Sequence, residues 1–367
     1  MRLAHFEALA PVCPRCRLEA RPDRVLVLGT VGRRDGDLIE AGTLLCPAPE
    51  CQHEFPIIDG IPILVPDPAR FLADSQAQIL ARDDLLPDTL SAIGDAVGPG
   101  TPFEASRHHL GAYAHDHWAE FDPEIGTQHF PPGSVARALH AGLAMLGEGL
   151  PSGPALEIGC SVGRAAAELA ACGGGLVLGI DLNFSMLRLA AQAQQTGRVA
   201  FARRRIGLVY DPVSFAIPTP NAARIDHWAC DAMALPFAPA MFSRVVALNV
   251  LDCVPSPVSL LQSVAALLAP GGGAVMASPY DWSPTATQPP YWIGGHSQRG
   301  PHQGSAESLV RALLTEGAHP QSIAGITIAG EILNQPWAVR LHARSTMVYA
   351  LHLLALRKQV GGASQKQ

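Results

Sequence analysis

Leu156-Glu157-Ile158-Gly159-Cys160-Ser161-Val162-Gly163-Arg164 is the run that decides the fold. A short apolar strand enters it, glycines at 159 and 163 turn the chain, and the Ala- and Leu-rich stretch 165–171 predicts a helix. Glycine lets the backbone turn sharply and approach a ligand where a Cβ would obstruct it. A dinucleotide-binding turn needs Gly-x-Gly-x-x-Gly. Here the spacing differs and Glu157 precedes the glycines, which favours a ligand with cationic groups over a pyrophosphate.

Working outward, Gly179-Ile180-Asp181-Leu182-Asn183 places an acid at the end of the next strand, where it can accept both hydroxyls of a ribose. Cys230-Asp231-Ala232-Met233-Ala234-Leu235-Pro236-Phe237 places Asp231 one strand further on, able to accept an adenine amino group. Asn249 and Asp252 follow the apolar run 246–248, and Pro270-Gly271-Gly272-Gly273 closes the series after a helical stretch. Short apolar runs alternate with helical patterns, predicting strands over 155–158, 176–180, 225–229, 244–248 and 273–277, with later ones near 323–332 and 346–356. That is about seven strands of a doubly wound α/β sheet.

In this order the landmarks resemble the motifs of class I S-adenosylmethionine-dependent methyltransferases. The resemblance implies a Rossmann-like fold with a mostly parallel seven-stranded sheet, and S-adenosylmethionine as cofactor. It also implies that Glu157, Gly159 and Gly163 hold the methionine end with Cys160 and Arg164 in the same turn, that Asp181 with Leu182 and Met186 holds the ribose, and that Asp231 with Ala232 holds the adenine beside Asn249.

After the glycine loop the chain reads Ala277-Ser278-Pro279-Tyr280-Asp281-Trp282 and then Trp292-Ile293-Gly294-Gly295. Aromatics and a carboxylate leaving the C-terminal end of a strand sit where ligands bind in such sheets. They read as a substrate wall, or else as two tryptophans capping the core. With the Gly-Cys-x-Val-Gly-Arg turn, Asn249 and Asp252, Tyr113 and Asp116, and Arg340 and Arg344, this insert resembles the C-terminal methyltransferase domain of ovothiol synthases over about residues 111 to 357. That resemblance implies N-methylation of the imidazole of a mercaptohistidine. The chain lacks the iron-dependent sulfoxide-forming domain of the fused members, so it would receive a finished acceptor carrying sulfur or selenium.

Methyl transfer from a sulfonium is an in-line displacement that needs positioning, desolvation and at most the removal of one proton. Asp252 or Asp281 would orient an imidazole through its N–H, with help from Tyr280 or Tyr113. Trp282, Trp292 and Gly294 would enclose the acceptor, beside Asp116 and His117. Arg340 or Arg344 would bind its carboxylate, or else serve as surface ion-pair residues. His108, His109 and His115 read as exposed helix or loop residues, His117 alone being kept for the site.

Cys13-Pro14-Arg15-Cys16 and Cys46-Pro47-Ala48-Pro49-Glu50-Cys51 form two knuckles, and four thiolates complete a closed, structural zinc site. The fourth ligand is Cys51 or, as the alternative, His53. The phrase Phe55-Pro56-Ile57-Ile58-Asp59-Gly60-Ile61-Pro62-Ile63-Leu64 resembles the small zinc-ribbon activator subunit of tRNA and protein methyltransferases. The expected organisation is a zinc-binding ribbon-like β module over 1–66, a linker with one helix near 71–82 over 67–110, the methyltransferase domain over 111–358 and a disordered tail over 359–367. The remaining cysteines read as small core residues, Cys160 alone being a candidate to line the site.

The 367 residues, 48% of them hydrophobic, suffice for a large core. A net charge of -6 argues against a general grip on nucleic acid and for a small-molecule partner. Arg203-Arg204-Arg205 reads as a solvated turn. An RNA methyltransferase using its zinc module for RNA binding is the runner-up, and a noncatalytic activator the third reading. No apolar run suggests a membrane span, and the start lacks a signal-peptide pattern, which gives a cytoplasmic expectation.

Overall fold

In the computed structural model, which describes residues 1–360, the short apolar runs form strands. In chain order these are β1 (Val27–Asp35), β2 (Leu38–Leu45), β3 (Glu54–Ile58), β4 (Ile61–Leu64), β5 (Ala155–Ile158), β6 (Val177–Asp181) and β7 (Arg198–Ile206). They continue with β8 (Val209–Ala216), β9 (Ile225–Cys230), β10 (Phe242–Leu248), β11 (Leu268–Ser278), β12 (Ile326–His342) and β13 (Ser345–Lys358). All but β7 and β8 join one eleven-stranded sheet in the order β1-β2-β3-β4-β9-β6-β5-β10-β11-β13-β12.

Its centre, from β9 through β6, β5 and β10 to β11, is parallel, and β13 and β12 add antiparallel. These seven strands are the ones expected from the sequence, in a Rossmann-like, doubly wound arrangement. One face is covered by the helices Pro257–Leu267 and Ala306–Leu314, through Leu260, Leu261, Val264, Val310 and Leu313. The other is covered by Ser134–Leu146, Arg164–Cys172 and Phe184–Thr196, through Leu139, Leu169 and Leu187. The crossover after β5 therefore lies on one face and the crossover after β10 on the other. Their strands are neighbours, so a crevice opens at the carboxyl ends of β5 and β10.

Four expectations are corrected. The N-terminal segment does not stand apart, because β4 pairs in parallel with β9, Ile63 opposite Ala229 and Leu64 opposite Cys230. A fully apolar β4, buried at every position, needs a sheet neighbour, and the edge of β9 supplies it. The stretch 67–110 holds the helices Pro68–Asp74, Gln76–Ile79 and Pro87–Val97. The expected single helix over 71–82 is broken at Ser75, and the boundary at residue 110 falls inside the helix Pro102–Trp118. That helix runs from a Thr101 cap across the boundary, since the Gly98-Pro99-Gly100 break lies before it.

Arg203, Arg204 and Arg205 lie on β7 of a β7–β8 hairpin, not in a turn, because each finds an acid: Asp122 at 2.8 Å, Glu104 at 3.6 Å and, for Arg205, Asp211. Residues 361–367 of the expected tail lie outside the described residues, whereas 359 and 360 are described. Among the described residues no helix is long and apolar enough to cross a membrane.

Candidate active site

β5 delivers Glu157 to the crevice, where it is 3% exposed and its Oε2 has no hydrogen-bond partner. Burial pushes its carboxyl well above the usual range, against a backbone N–H from Ala166. The turn that follows needs its glycines. Gly159 has φ +73°, and a Cβ there would stand 2.5 Å from Val250 Cγ2. Gly163 has φ +81°, and a Cβ would stand 2.8 Å from His227 Nε2.

Asp181 ends β6, and its two oxygens accept the amides of Ser161 (2.9 Å) and Asn183 (2.8 Å). A carboxylate oxygen has a second acceptor position beyond the one each amide occupies, the capacity a diol requires. Burial raises its pKa. Leu182 is an exposed apolar residue beside it, and Met186 is buried with its sulfur 3.1 Å from the Ser161 hydroxyl. Asp231 follows β9, its Oδ1 accepting the Met233 amide at 2.8 Å, with Ala232 between them. Asn249 sits past β10 at φ +57° with a buried Oδ1 that lacks a partner. Orphaned acceptors around a glycine cradle fit a polar, partly cationic ligand.

Two cofactor expectations change. The Cys160 side chain is fully buried with Ile61, Ile63 and Phe184, and its sulfur packs at Gly179. The Cys160 N–H donates to the Ile180 carbonyl and its carbonyl accepts the Gly163 amide, so the turn itself uses its backbone. Arg164 is occupied by Glu120 and Glu168 (2.7 Å) and lies over the rings of Phe121 and Trp118. It ties the end of the helix Pro102–Trp118 to the helix after the glycine turn.

On the acceptor side, Asp252 is 2% exposed and fully engaged, accepting the Ser278 hydroxyl (3.0 Å) and the Asp281 amide (2.9 Å). Burial raises its pKa. It fixes the turn at the end of β11 in which Tyr280 adopts φ +56°. Asp281 is exposed and accepts from the Tyr349 hydroxyl at 3.2 Å, so of the two carboxylates it is the accessible one. Tyr280, Trp282 and Trp292 form a row of rings, with Tyr280 and Trp282 centroids 6.2 Å apart and the two indoles 6.1 Å apart at 13°. Gly295 lets the chain pass close to Trp282, and Gly294 at φ +77° packs on Ala306. The Trp282 Nε1 is buried without a partner.

Tyr280 also binds His352 Nδ1 at 2.6 Å, His352 Nε2 lies 3.1 Å from Glu331, and Arg311 closes the chain at 2.9 Å. His352 and Tyr349 were not anticipated. Their signal is that Tyr349 and His352 interrupt the apolar run 347–356 of β13, where the strand passes the end of β11.

The helix Pro102–Trp118 brings Tyr113 to the same crevice. Burial pushes its hydroxyl up to about 12, and the charges of Cys253, Tyr349 and Asp181 act in the same direction. His115 and His117 are buried, contrary to the reading of His115 as exposed, because their side of the helix packs inward beside Trp118. Burial brings each down to about 3, so both are neutral. Asp116 is buried too, its pKa pushed up to about 7 by burial, and it accepts the Ser134 amide at 3.3 Å. Arg340 donates to the Arg204 carbonyl at 2.9 Å, and Arg344 is exposed in the β12–β13 turn. The described contacts of these two arginines do not reach Asp252, Tyr280 or Asp281.

At the N-terminus the sulfurs of Cys13, Cys16, Cys46 and Cys51 all lie within 4.8 Å of one another. The Cys13–Cys51 and Cys16–Cys46 separations are 3.8 and 3.7 Å. Those match the edge of a tetrahedron of thiolates about 2.3 Å from a zinc ion. His53 Nδ1 stands 3.5 Å from the Cys51 sulfur, beside the set and not in it.

Residues 156–276 match the family described as Methyltransferase domain. The chain carries an S-adenosylmethionine-dependent methyltransferase domain. Comparison with curated proteins gives no match. Among solved structures, the methyltransferase is similar to phosphoethanolamine N-methyltransferase 2 of Haemonchus contortus in complex with S-adenosyl-L-methionine, at 22% identity and a TM-score of 0.29, over 39% of this chain and 28% of that one. It is similar to the CcbJ methyltransferase of Streptomyces caelestis at 22% identity and a TM-score of 0.30, over 41% and 56% of the two chains. A structure concerned with conversion of a disulfide bond into a thioacetal group in echinomycin biosynthesis gives 18% identity and a TM-score of 0.38, over 61% and 82%. The chain thus spans 28% of the length of the nematode enzyme.

Proposed function

We propose that this chain transfers a methyl group from S-adenosylmethionine to a ring nitrogen of a small imidazole amino acid, a histidine bearing a thiol or selenol. The observation that carries the reading is the row Tyr280, Trp282 and Trp292 standing beside Asp281 at the carboxyl end of β11. A flat aromatic ring suits that wall, and a carboxylate at its edge suits an imidazole N–H. Bound S-adenosylmethionine supplies an electrophilic methyl group.

The chain's residues do the rest. Glu157 and the glycine turn hold the amino-acid end of the donor, Asp181 the ribose and Asp231 the adenine. Asp252 sets the Asp281 backbone, and Asp281 with Tyr349 accepts the ring N–H, leaving the other nitrogen's lone pair free to attack. Tyr113 and Tyr280 border the acceptor, and Arg340 or Arg344 would meet its carboxylate only by leaving the positions described above. The four cysteines hold a structural Zn2+.

Mass spectrometry of reactions with histidine, its thiol and selenol analogues and bulk tRNA tests the acceptor. Methylation of a chalcogen-substituted histidine alone is expected, and methylation of tRNA alone overturns the reading. In calorimetry, Asp181→Ala should weaken S-adenosylhomocysteine binding by roughly 100-fold, as expected for two lost hydrogen bonds to a charged acceptor. Unchanged affinity sinks the donor assignment.

A further inference from the structure

The loop that carries Asp231 is gripped from outside by the cysteine knuckle. Arg17 directly follows Cys16 on the short helix Pro14–Leu18. Its Nη1 donates to the carbonyl of Leu235 and, at 2.7 Å, to that of Phe237. Its Nε and Nη2 fork onto Asp23 at 3.1 and 2.5 Å, which fixes the guanidinium plane. Between those two carbonyls, Pro236 accepts the Val12 amide at 2.9 Å. Three successive carbonyls of the loop are therefore taken up by the N-terminal segment.

The other end of the loop is held by the same segment. The pairing of β4 with β9 ends at Leu64 opposite Cys230, the residue before Asp231. Phe237 is anchored between Trp228 and Phe242, with ring centroids 6.1 and 5.2 Å away. Asp231 thus stands on a turn that residues 12–64 contact at both ends.

We propose that Arg17 is a positioning residue for the donor, through which the cysteine knuckle sets the place of the Asp231 carboxylate and with it the affinity and base preference of the donor pocket. This rests on the reading of Asp231 as the acceptor of the adenine amino group. A carboxylate correctly placed for that amino group meets a carbonyl oxygen instead in an inosine analogue, so base preference reports the position of Asp231 directly.

The test is calorimetry on the full-length, zinc-loaded protein with S-adenosylhomocysteine and S-inosylhomocysteine. Arg17→Met, with zinc content equal to the wild type, should bind S-adenosylhomocysteine roughly tenfold more weakly, the scale of a lost charge-assisted hydrogen bond. Its preference for the adenine ligand should shrink by a similar factor. Asp23→Asn frees the Arg17 fork without touching the loop or the cysteines, and should shift both quantities the same way by less. It decides the matter if Arg17→Met loses zinc or fails to fold. Arg33→Met is the control, because Arg33 reaches Glu40 on β2 and neither the cysteines nor the loop.

Wild-type affinity and preference in Arg17→Met and Asp23→Asn overturn the proposal. So does an equal loss for both ligands, which marks support of the fold alone. A wild-type protein that binds neither ligand overturns the donor-site reading itself, and that result is distinct from both.

Discussion

At the scale of single residues, burial sets the chemistry of the acids more than sequence position does. Glu157, Asp181, Asp252 and Asp116 are all pushed upward by desolvation, but only Asp281 remains exposed enough to serve an incoming ring. Asp116 makes a pH prediction. Its folded-state pKa of about 7 lies above the ordinary 3.8, so the unfolded chain ionises first and stability falls as pH rises from about 4 to 7, then levels. Asp116→Asn removes that slope and keeps an oxygen for the Ser134 amide. Its gain over the wild type should grow across this window to an upper bound on the order of 4 kcal/mol at pH 8, read from urea midpoints at a series of pH values. A constant difference between the two proteins across the window would contradict it. Residue types at the site were legible because strand ends recur with an acid in each. Their environments were not, since the orphaned acceptors, the inward side of the helix Pro102–Trp118 and the Tyr349 contact depend on neighbours far along the chain.

At the scale of elements, two hairpins roof the carboxyl edge of the sheet. β12 and β13 extend past Ser278, and at their turn the Ala343 amide donates to the Arg205 carbonyl of β7 at 3.0 Å. The β7–β8 pair is tied down by Arg203 with Asp122, a pair in which the acid is 6% exposed. Asp122→Ala should lower stability by about 2 to 3 kcal/mol, at the low end for a buried pair because Arg203 keeps some solvent. Amide exchange should rise first over residues 198–216, and unchanged exchange there would show that the pair does not hold the hairpin. This hairpin was missed in the sequence because its alternation is confined to Val199–Phe201 and Val213–Phe215, short stretches beside a run of charge and Asp211-Pro212. Three consecutive arginines read as a turn until their partners, Glu104, Asp122 and Asp211, are folded against them. β5, β6, β9 and β10 were legible for the opposite reason: they are buried on both faces, and near-continuous apolar runs identify such strands.

At the scale of the molecule, the N-terminal residues and the methyltransferase core share one sheet. The cysteine spacing pointed to a separate module, but spacing says nothing of what β4 pairs with, and the register with β9 is a tertiary choice. Residues 111–358 expressed alone should fail as a folded monomer, because the helix Pro102–Trp118 is cut and the β9 edge is stripped of its partner. Size-exclusion chromatography should show aggregate, and supply of residues 1–110 in trans should recover monodisperse material. A stable monomeric fragment would refute this. The β4–β9 register thus constrains heredity as well as stability. Recombination that joins this catalytic half to a foreign leader would yield a protein with a raw flank, so insertion of a strand-forming replacement, not simple loss or exchange, is the route by which such a lineage can be remodelled.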